Sequence, residues 1–341
     1  MRRRPVREVV RIFSWALIVS LVMMSIASQG RTQPLTRVNV GHSMISPEAM
    51  AVWVAKDRDF FQKYGLDAQL IQIIGDSPMG QAMMAGEIQI AISGGASTIR
   101  SAARGGDLMI VAGLVNHLNF KLWTRAGSPI TRVQDLKGKA IGVSAQGDLP
   151  SLVGRLILEE HRMSARDVTF RALGAGPARL AGLERGVVDA GVFGPFAAGM
   201  TERLKLVFDA SDLKVPLPAI PVISTRRVIR SNPEVVENAL KALAEAVAFI
   251  NTPANKRVVI NTLRVRLNLK SPEQEEPFYA ETLRTLKDPT LALSVKGLQA
   301  FIRILAEEDS AIAKVKMEEV MDLRFLKKLE ESGFIKDLYR K

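Results

Sequence analysis

No cysteine occurs among the 341 residues of this chain, and histidine, tryptophan and tyrosine occur three times each. The lack of cysteine excludes disulfides, thiolate metal sites, a thiol nucleophile and a lipid-modified cysteine anchor together. His42, His117 and His161 share no metal-ligand spacing. Asp167 and Asp189 stand where carboxylates commonly cap or turn the chain, so they are not read as an acid and base pair. No catalytic residue, metal site or cofactor is therefore expected. Low-complexity tracts and short-period repeats are also missing. The 47% hydrophobic and 24% charged residues describe an ordinary globular chain, long enough for two lobes.

One apolar run is present but short. Arg2, Arg3, Arg4, Arg7 and Arg11 precede an uncharged stretch from Ile12 to Ile26, which closes on the small residues Ser25, Ala27 and Ser28. The stretch falls short of the roughly 20 residues that span a bilayer. Its three-part layout is that of a secretory signal cleaved after Ala27, so residues 1–30 are expected to be a signal peptide, with an uncleaved membrane anchor as the alternative. Those residues hold five Arg and one Glu, and their removal lowers the formal charge from +12 to +8. The remaining Lys and Arg are spread along helices as solvated faces, and no nucleic-acid partner is expected.

What fills the rest of the chain is a rhythm of strands and helices. A first strand around Val38 and Val40 is followed by a helix from Pro47 through Phe60 that Gly65 ends. Strands are expected at 70–74, 88–92 and 108–114, with helices at 78–85 and up to Arg104 between them. After an extended stretch, 116–123, the rhythm resumes with strands at 140–143, 168–173, 190–193 and around 206–208, and helices at 149–162 and 177–185. Pro216, Pro218 and Pro221 bracket a segment that cannot be helix, and Val222 to Ser224 carry the chain back. The remainder reads as helices, beginning with Asn232 as cap and Pro233 as first residue. This alternation predicts mostly parallel sheets with helices on both faces. Lobe boundaries are expected at 31–121, 122–221 and 222–341, the last part returning to the first lobe.

Two stretches carry the candidate chemistry. The strand Ala140–Val143 leaves through Ser144, Gly147 and Asp148 into a helix that has Asp148 as N-cap and Pro150 in its first turn. The strand ending at Ile92 runs in the same way into Ser93, Gly94, Gly95 and Ala96. Each arrangement aims unpaired backbone N–H groups and a helix dipole at one small volume, which suits a small polar ligand. Every βαβ unit contains such a turn, so a purely structural crossover is the competing reading.

Six segments, taken in order, resemble a known family. They are AVWVAKDRDFFQKYGLDAQL (51–70), MAGEIQIAISGGAS (84–97), DLKGKAIGVSAQG (135–147), RLAGLERGVVDAGVFGPF (179–196), SNPEVVENALKALAEAVAFI (231–250) and LRFLKKLEESGFI (323–335). Together they are similar to the periplasmic solute-binding proteins of ABC importers in the nitrate, sulfonate, taurine and thiamine-precursor group. The resemblance implies a two-lobed periplasmic-binding-protein fold of type II, α/β, with two sheets flanked by helices and joined by two crossing strands. It also implies a small-molecule solute in the cleft, hinge closure, a periplasmic location, a monomer, and transient docking on a membrane permease. Loops facing the cleft would add His42, Ser43, Asn119, Gly174, Gly194 and Phe196 to the ligand contacts.

Two other readings share the fold. A sensor subunit would bind solute for a membrane receptor, and a thiamine-pyrimidine enzyme would need a cysteine-rich motif that this chain does not have. Phe193 and Phe196 flank Gly194-Pro195, either packing under the loop or lining the ligand wall. Asp148 departs from the Ser or Thr that relatives often place there. As a cleft residue it would disfavour small anions and favour a neutral or amine-bearing ligand; as a cap alone it would point away.

Overall fold

The computed structural model describes residues 34–194, 203–213 and 217–340. The expected signal peptide, Phe196 and Pro216 lie outside the described residues. Among the described residues, no helix is long and apolar enough to cross a membrane.

Among the described residues, ten strands form two five-stranded sheets. The first sheet holds β1 (Thr36–His42), β2 (Leu66–Gln72), β3 (Ile90–Ile92) and β4 (Leu108–Val115). The second holds β5 (Lys121–Arg125), β6 (Ala140–Val143), β7 (Thr169–Ala172), β8 (Ala190–Phe193) and β9 (Leu204–Asp209). The tenth strand, β10 (Ile220–Thr225), returns to the first sheet. Sheet orders are β2-β1-β3-β10-β4 and β7-β6-β8-β5-β9. The two orders are the same pattern: three parallel strands, then one crossing strand antiparallel to both of its neighbours. Each sheet thus completes itself with a strand reached by crossing from the other. The sheets are mixed for that reason alone, four strands of each running one way.

Helices cover both sheets. In chain order they are α1 (Met50–Asp57), α2 (Phe60–Lys63), α3 (Asp76–Ala85), α4 (Ala96–Ala103), α5 (Leu149–Glu160) and α6 (Gly176–Glu184). Then come α7 (Arg226–Ser231), α8 (Pro233–Asn251), α9 (Lys256–Leu267), α10 (Glu275–Thr285), α11 (Val295–Glu308), α12 (Arg324–Glu331) and α13 (Phe334–Leu338). Helix α8 buries Val236, Leu240, Leu243, Val247 and Ile250 at steps of three and four, and packs on α1 and α2. Ile110 of β4 pairs with Met321, so the C-terminal third lies on the first sheet.

Three local expectations are revised. The helix expected over 47–60 begins as a single 3₁₀ turn, Pro47–Ala49, and breaks where Asp59 adopts φ 56°. The second strand lies at 66–72 and not 70–74, because its pairing with β1 sets Leu66 opposite Thr36 and Gln72 opposite His42. Asn232 makes no capping bond to α8; its Oδ1 accepts from the Ser231 hydroxyl.

The first crossing is pinned to the helical third. The Asn116 amide donates to the Ala292 carbonyl and accepts from Ser294 N–H, and Asn119 Nδ2 donates to Thr285 Oγ1. Between the lobes, the Arg100 guanidinium on α4 donates to the Gly147 carbonyl.

Candidate functional site

The loops at the strand ends of both sheets enclose a cavity of about 90 Å³, with Phe120 and Ile220, one beside each crossing, in its wall. Its first-lobe side is built on Asp76. Gly75-Asp76-Ser77-Pro78 opens α3, and the Asp76 carboxylate reaches away from its own helix to the neighbouring strand ends. Oδ1 accepts from Ser43 Oγ at 3.3 Å, from Ser93 Oγ at 3.1 Å and from Gly94 N–H at 2.9 Å. One carboxylate therefore stitches the end of β1, the end of β3 and the start of α3. Only glycine fits at 94, since a Cβ there would lie 2.1 Å from Asp76 Oδ2.

The second-lobe side is built on Asp148. Gly147-Asp148-Leu149-Pro150 opens α5, and here the carboxylate turns onto its own loop. Oδ1 caps α5 by accepting from Ser151 N–H at 3.1 Å, while Oδ2 accepts from Ala145 N–H at 2.8 Å and from the Ser144 hydroxyl. Asp148 both caps the helix and lines the cavity. Burial, and then the charge of Asp76, push its carboxyl up to about 6.

Two further charged groups meet in the same wall. Glu48, in the 3₁₀ turn before α1, is 3% exposed and accepts from the Ser46 hydroxyl. Burial pushes its carboxyl up to about 7. Arg179 lies on α6, is 5% exposed and stacks on the buried Phe193 ring, 5.1 Å from its centroid. Neither its Nε nor its Nη1 has a hydrogen-bond partner. Burial lowers its pKa to about 10, against the opposing pull of Asp148 and Glu48.

The cavity brings together five of the residues expected from sequence: Ser43, Gly94, Ser144, Asp148 and Gly194. Ser93 stands behind it, bonded to Asp76. His42 is turned away, with Nδ1 donating to the Met44 carbonyl at 2.9 Å and its ring edge-on to Trp53. Gly95 packs beside Phe301, and Ala96 is buried in the first turn of α4. Asn119 belongs to the crossing, Gly147 to the contact with Arg100, and Gly174 to a turn with φ 78° whose neighbours Ala175 and Gly176 reach the cavity. Phe193 is packed under Arg179, which decides its role.

Glu48, Asp76 and Arg179 were not read from the sequence as site residues. A signal for Asp76 was present: Gly-Asp-Ser-Pro at 75–78 repeats the Gly-Asp-Leu-Pro of 147–150. Arg179 carries no comparable signal, since a basic residue in RLAGLER reads as a solvated helix face.

Three comparisons with known proteins bear on the family and the fold. A family model described as NMT1/THI5 like matches residues 46–255. No curated protein matches the chain. Among solved structures, the fold is similar to that of a protein from Bordetella bronchiseptica RB50, with TM-score 0.76 and 20% identity over 87% of this chain and 98% of that one. It is also similar to the alkanesulfonate-binding protein SsuA from Xanthomonas axonopodis pv. citri bound to MOPS, with TM-score 0.67 and 20% identity over 83% and 96% of the two chains. The desulfurization enzyme DszB has the same fold, with TM-score 0.61 and 16% identity over 87% and 99%.

Proposed function

We propose, from the premise that this chain belongs to the NMT1/THI5-like family, that it is an extracytoplasmic solute-binding protein. In this reading it holds a small organic solute between its lobes and delivers it to the membrane permease of an ABC importer. The observation that carries it is the cavity itself, where the carboxyl groups of Glu48 and Asp76 in the first lobe line one wall with Asp148 and Arg179 of the second. Groups on separate lobes that share one solute favour closure when it binds, because only the closed arrangement lets both sets touch it. The fold of SsuA, named as a binding protein, supports the same reading.

An enzymatic reading draws on the fold of DszB. Against it, the sequence contains no cysteine to act as a thiol nucleophile. Asp76 is committed as an acceptor to the ends of β1 and β3, and Asp148 to its own loop, and neither stands as a general base beside an assembled nucleophile. The test is a thermal-shift screen of small organic solutes, followed by mass spectrometry of whatever binds. A solute at 100 times its dissociation constant stabilises the fold by about 2.7 kcal/mol. Recovery of that solute unchanged supports the proposal, and catalytic conversion of it refutes the proposal.

A further inference from the structure

Within the cleft, opposite charges are left unsatisfied at two places. Arg179 is buried, lines the cavity, and makes no ion pair or hydrogen bond among the described residues. An unpaired buried guanidinium is costly, so its retention points to a partner that arrives from outside. It lies in the first turn of α6, a nine-residue helix that opens with Gly176 and Pro177. Helix geometry leaves the first N–H groups without internal partners, and Pro177 has none to offer, so Gly176 and Ala178 keep theirs. Ala175 and Gly176 line the same cavity as Arg179. A dipole end and an unpartnered cation therefore converge on one spot.

The other place is the pair of aspartates. Asp76 takes all three of its hydrogen bonds on Oδ1, which leaves Oδ2 without one. Asp148 is near enough for the negative charge of Asp76 to oppose its ionisation. A positive group between them would satisfy Oδ2 and remove the repulsion. Glu48, a third carboxyl in the same cavity, does not supply it.

On the solute-binding reading above, we infer that the cleft takes a small amino carboxylate, with its carboxylate on Arg179 and the α6 N-terminus and its ammonium between Asp76 and Asp148. Donor supply decides the anionic end. The Ser43, Ser93, Gly94, Ser144 and Ala145 donors that would cradle a multi-oxygen anion are already spent on Asp76 and Asp148. What remains is one planar guanidinium fork and a helix end, which match the two oxygens of a carboxylate. The tetrahedral oxygens of a sulfonate match the planar fork less well than a planar carboxylate does. An inorganic anion does nothing for the aspartate pair, and a simple amine leaves Arg179 unpaired.

Calorimetric titration of the full chain with glycine, β-alanine and 4-aminobutyrate tests this, with taurine, nitrate, propionate and propylamine as comparisons. At least one amino carboxylate is expected to bind, about tenfold or more tighter than taurine. Arg179→Gln is expected to lower that affinity about tenfold to 100-fold, toward that of propylamine, and Asp76→Asn to lower it toward that of propionate. Arg179→Lys, which keeps the charge and loses the fork, provides a second variant if Arg179→Gln does not fold, and is expected to bind more weakly than wild type. Binding of no amino carboxylate, tighter binding of taurine or nitrate, or unchanged affinity in the Arg179 variants overturns the inference. In the taurine or nitrate outcome the solute-binding reading survives. Chemical conversion of a bound amino carboxylate would instead overturn that reading while leaving the assignment of its two ends intact.

Discussion

Asp76 and Asp148 sit in matching tetrapeptides, Gly-Asp-Ser-Pro and Gly-Asp-Leu-Pro, at helix starts on opposite walls of one cleft, yet their carboxylates do different things. Asp148 binds its own loop and its own helix, within four residues of itself. Asp76 binds residues 17, 18 and 33 positions away, and so joins elements that the chain does not join. The tetrapeptide fixes where a helix starts, and the neighbours supplied by the sheet fix what the carboxylate holds. A third helix start, that of α6, reads Gly-Ala-Gly-Pro at 174–177, with Ala175 where the other two have Asp, and Arg179 follows two residues after the proline. Of the three, only the start of α5 is closed by a side-chain cap, and only that of α6 carries an unpaired cation.

The long-range role of Asp76 predicts the largest effect. In Gly94→Ala the new Cβ would lie 2.1 Å from Oδ2 and 2.6 Å from Cγ of Asp76, so the carboxylate must leave its three donors. Overpacking together with lost charge-assisted bonds costs about 4 kcal/mol, read as a lower denaturation midpoint. In an Asp76→Ala background the same substitution should cost far less. Equal costs in both backgrounds would mean that Asp76 is not what Gly94 makes room for.

Next comes pH. Glu48 has its carboxyl raised from 4.5 to about 7 in the folded protein, so between those values the folded state holds a proton that the unfolded state has released. Stability therefore falls as pH rises through this window and levels off above it, by about 3 kcal/mol from this group. Asp148, raised from 3.8 to about 6, acts in the same direction over a lower window. Melting temperatures of wild type and Glu48→Gln from pH 4 to 8 should diverge, with the variant flatter. Parallel curves would show that Glu48 titrates normally.

Much of the frame was legible in the sequence because it depends on local pattern. Ala140–Val143 and Ala190–Phe193 were read at their observed bounds, since each is a short apolar run closed by turn residues. Other features depend on partners far along the chain. The apolar run 70–74 drew the second strand four residues too late, whereas pairing with β1 extends it back to Leu66. The break at Asp59 has no Gly or Pro to announce it. For the site, donors in loops were visible and the groups that consume them were not. Glu48 looks like a first-turn acid and Arg179 like a surface base, and only the fold buries them in one wall.

A smaller effect tests the local role of Asp148. Asp148→Ala removes an N-cap and leaves Ser144, Ala145 and Ser151 donors to find water, against which the repulsion with Asp76 disappears. The balance is a loss of about 2 kcal/mol, confined to the start of α5. Hydrogen exchange should quicken in the first turn of α5 and leave α3 unchanged. Exchange that quickens in both helices would make the two aspartates one structural unit.

The smallest expected effect has the opposite sign and separates the start of α6, with its unpaired cation, from the two that carry a hydrogen-bonded aspartate. Arg179 is buried on Phe193 with Nε and Nη1 unpaired, so it weakens the ligand-free fold to whatever extent Asp148 and Glu48 fail to compensate. Arg179→Met keeps an unbranched side chain over the ring and removes the charge that has no close partner. Replacing buried charge by a packed apolar group is commonly neutral to stabilising, and here about 1 kcal/mol of gain is expected without ligand, because some attraction to Asp148 is lost with the charge. The same variant should lose the stabilisation that wild type gains from a bound solute. Denaturation of both proteins with and without that solute reads the two effects separately. A variant less stable than wild type without ligand would mean that Arg179 is already satisfied inside the fold and needs no partner from outside.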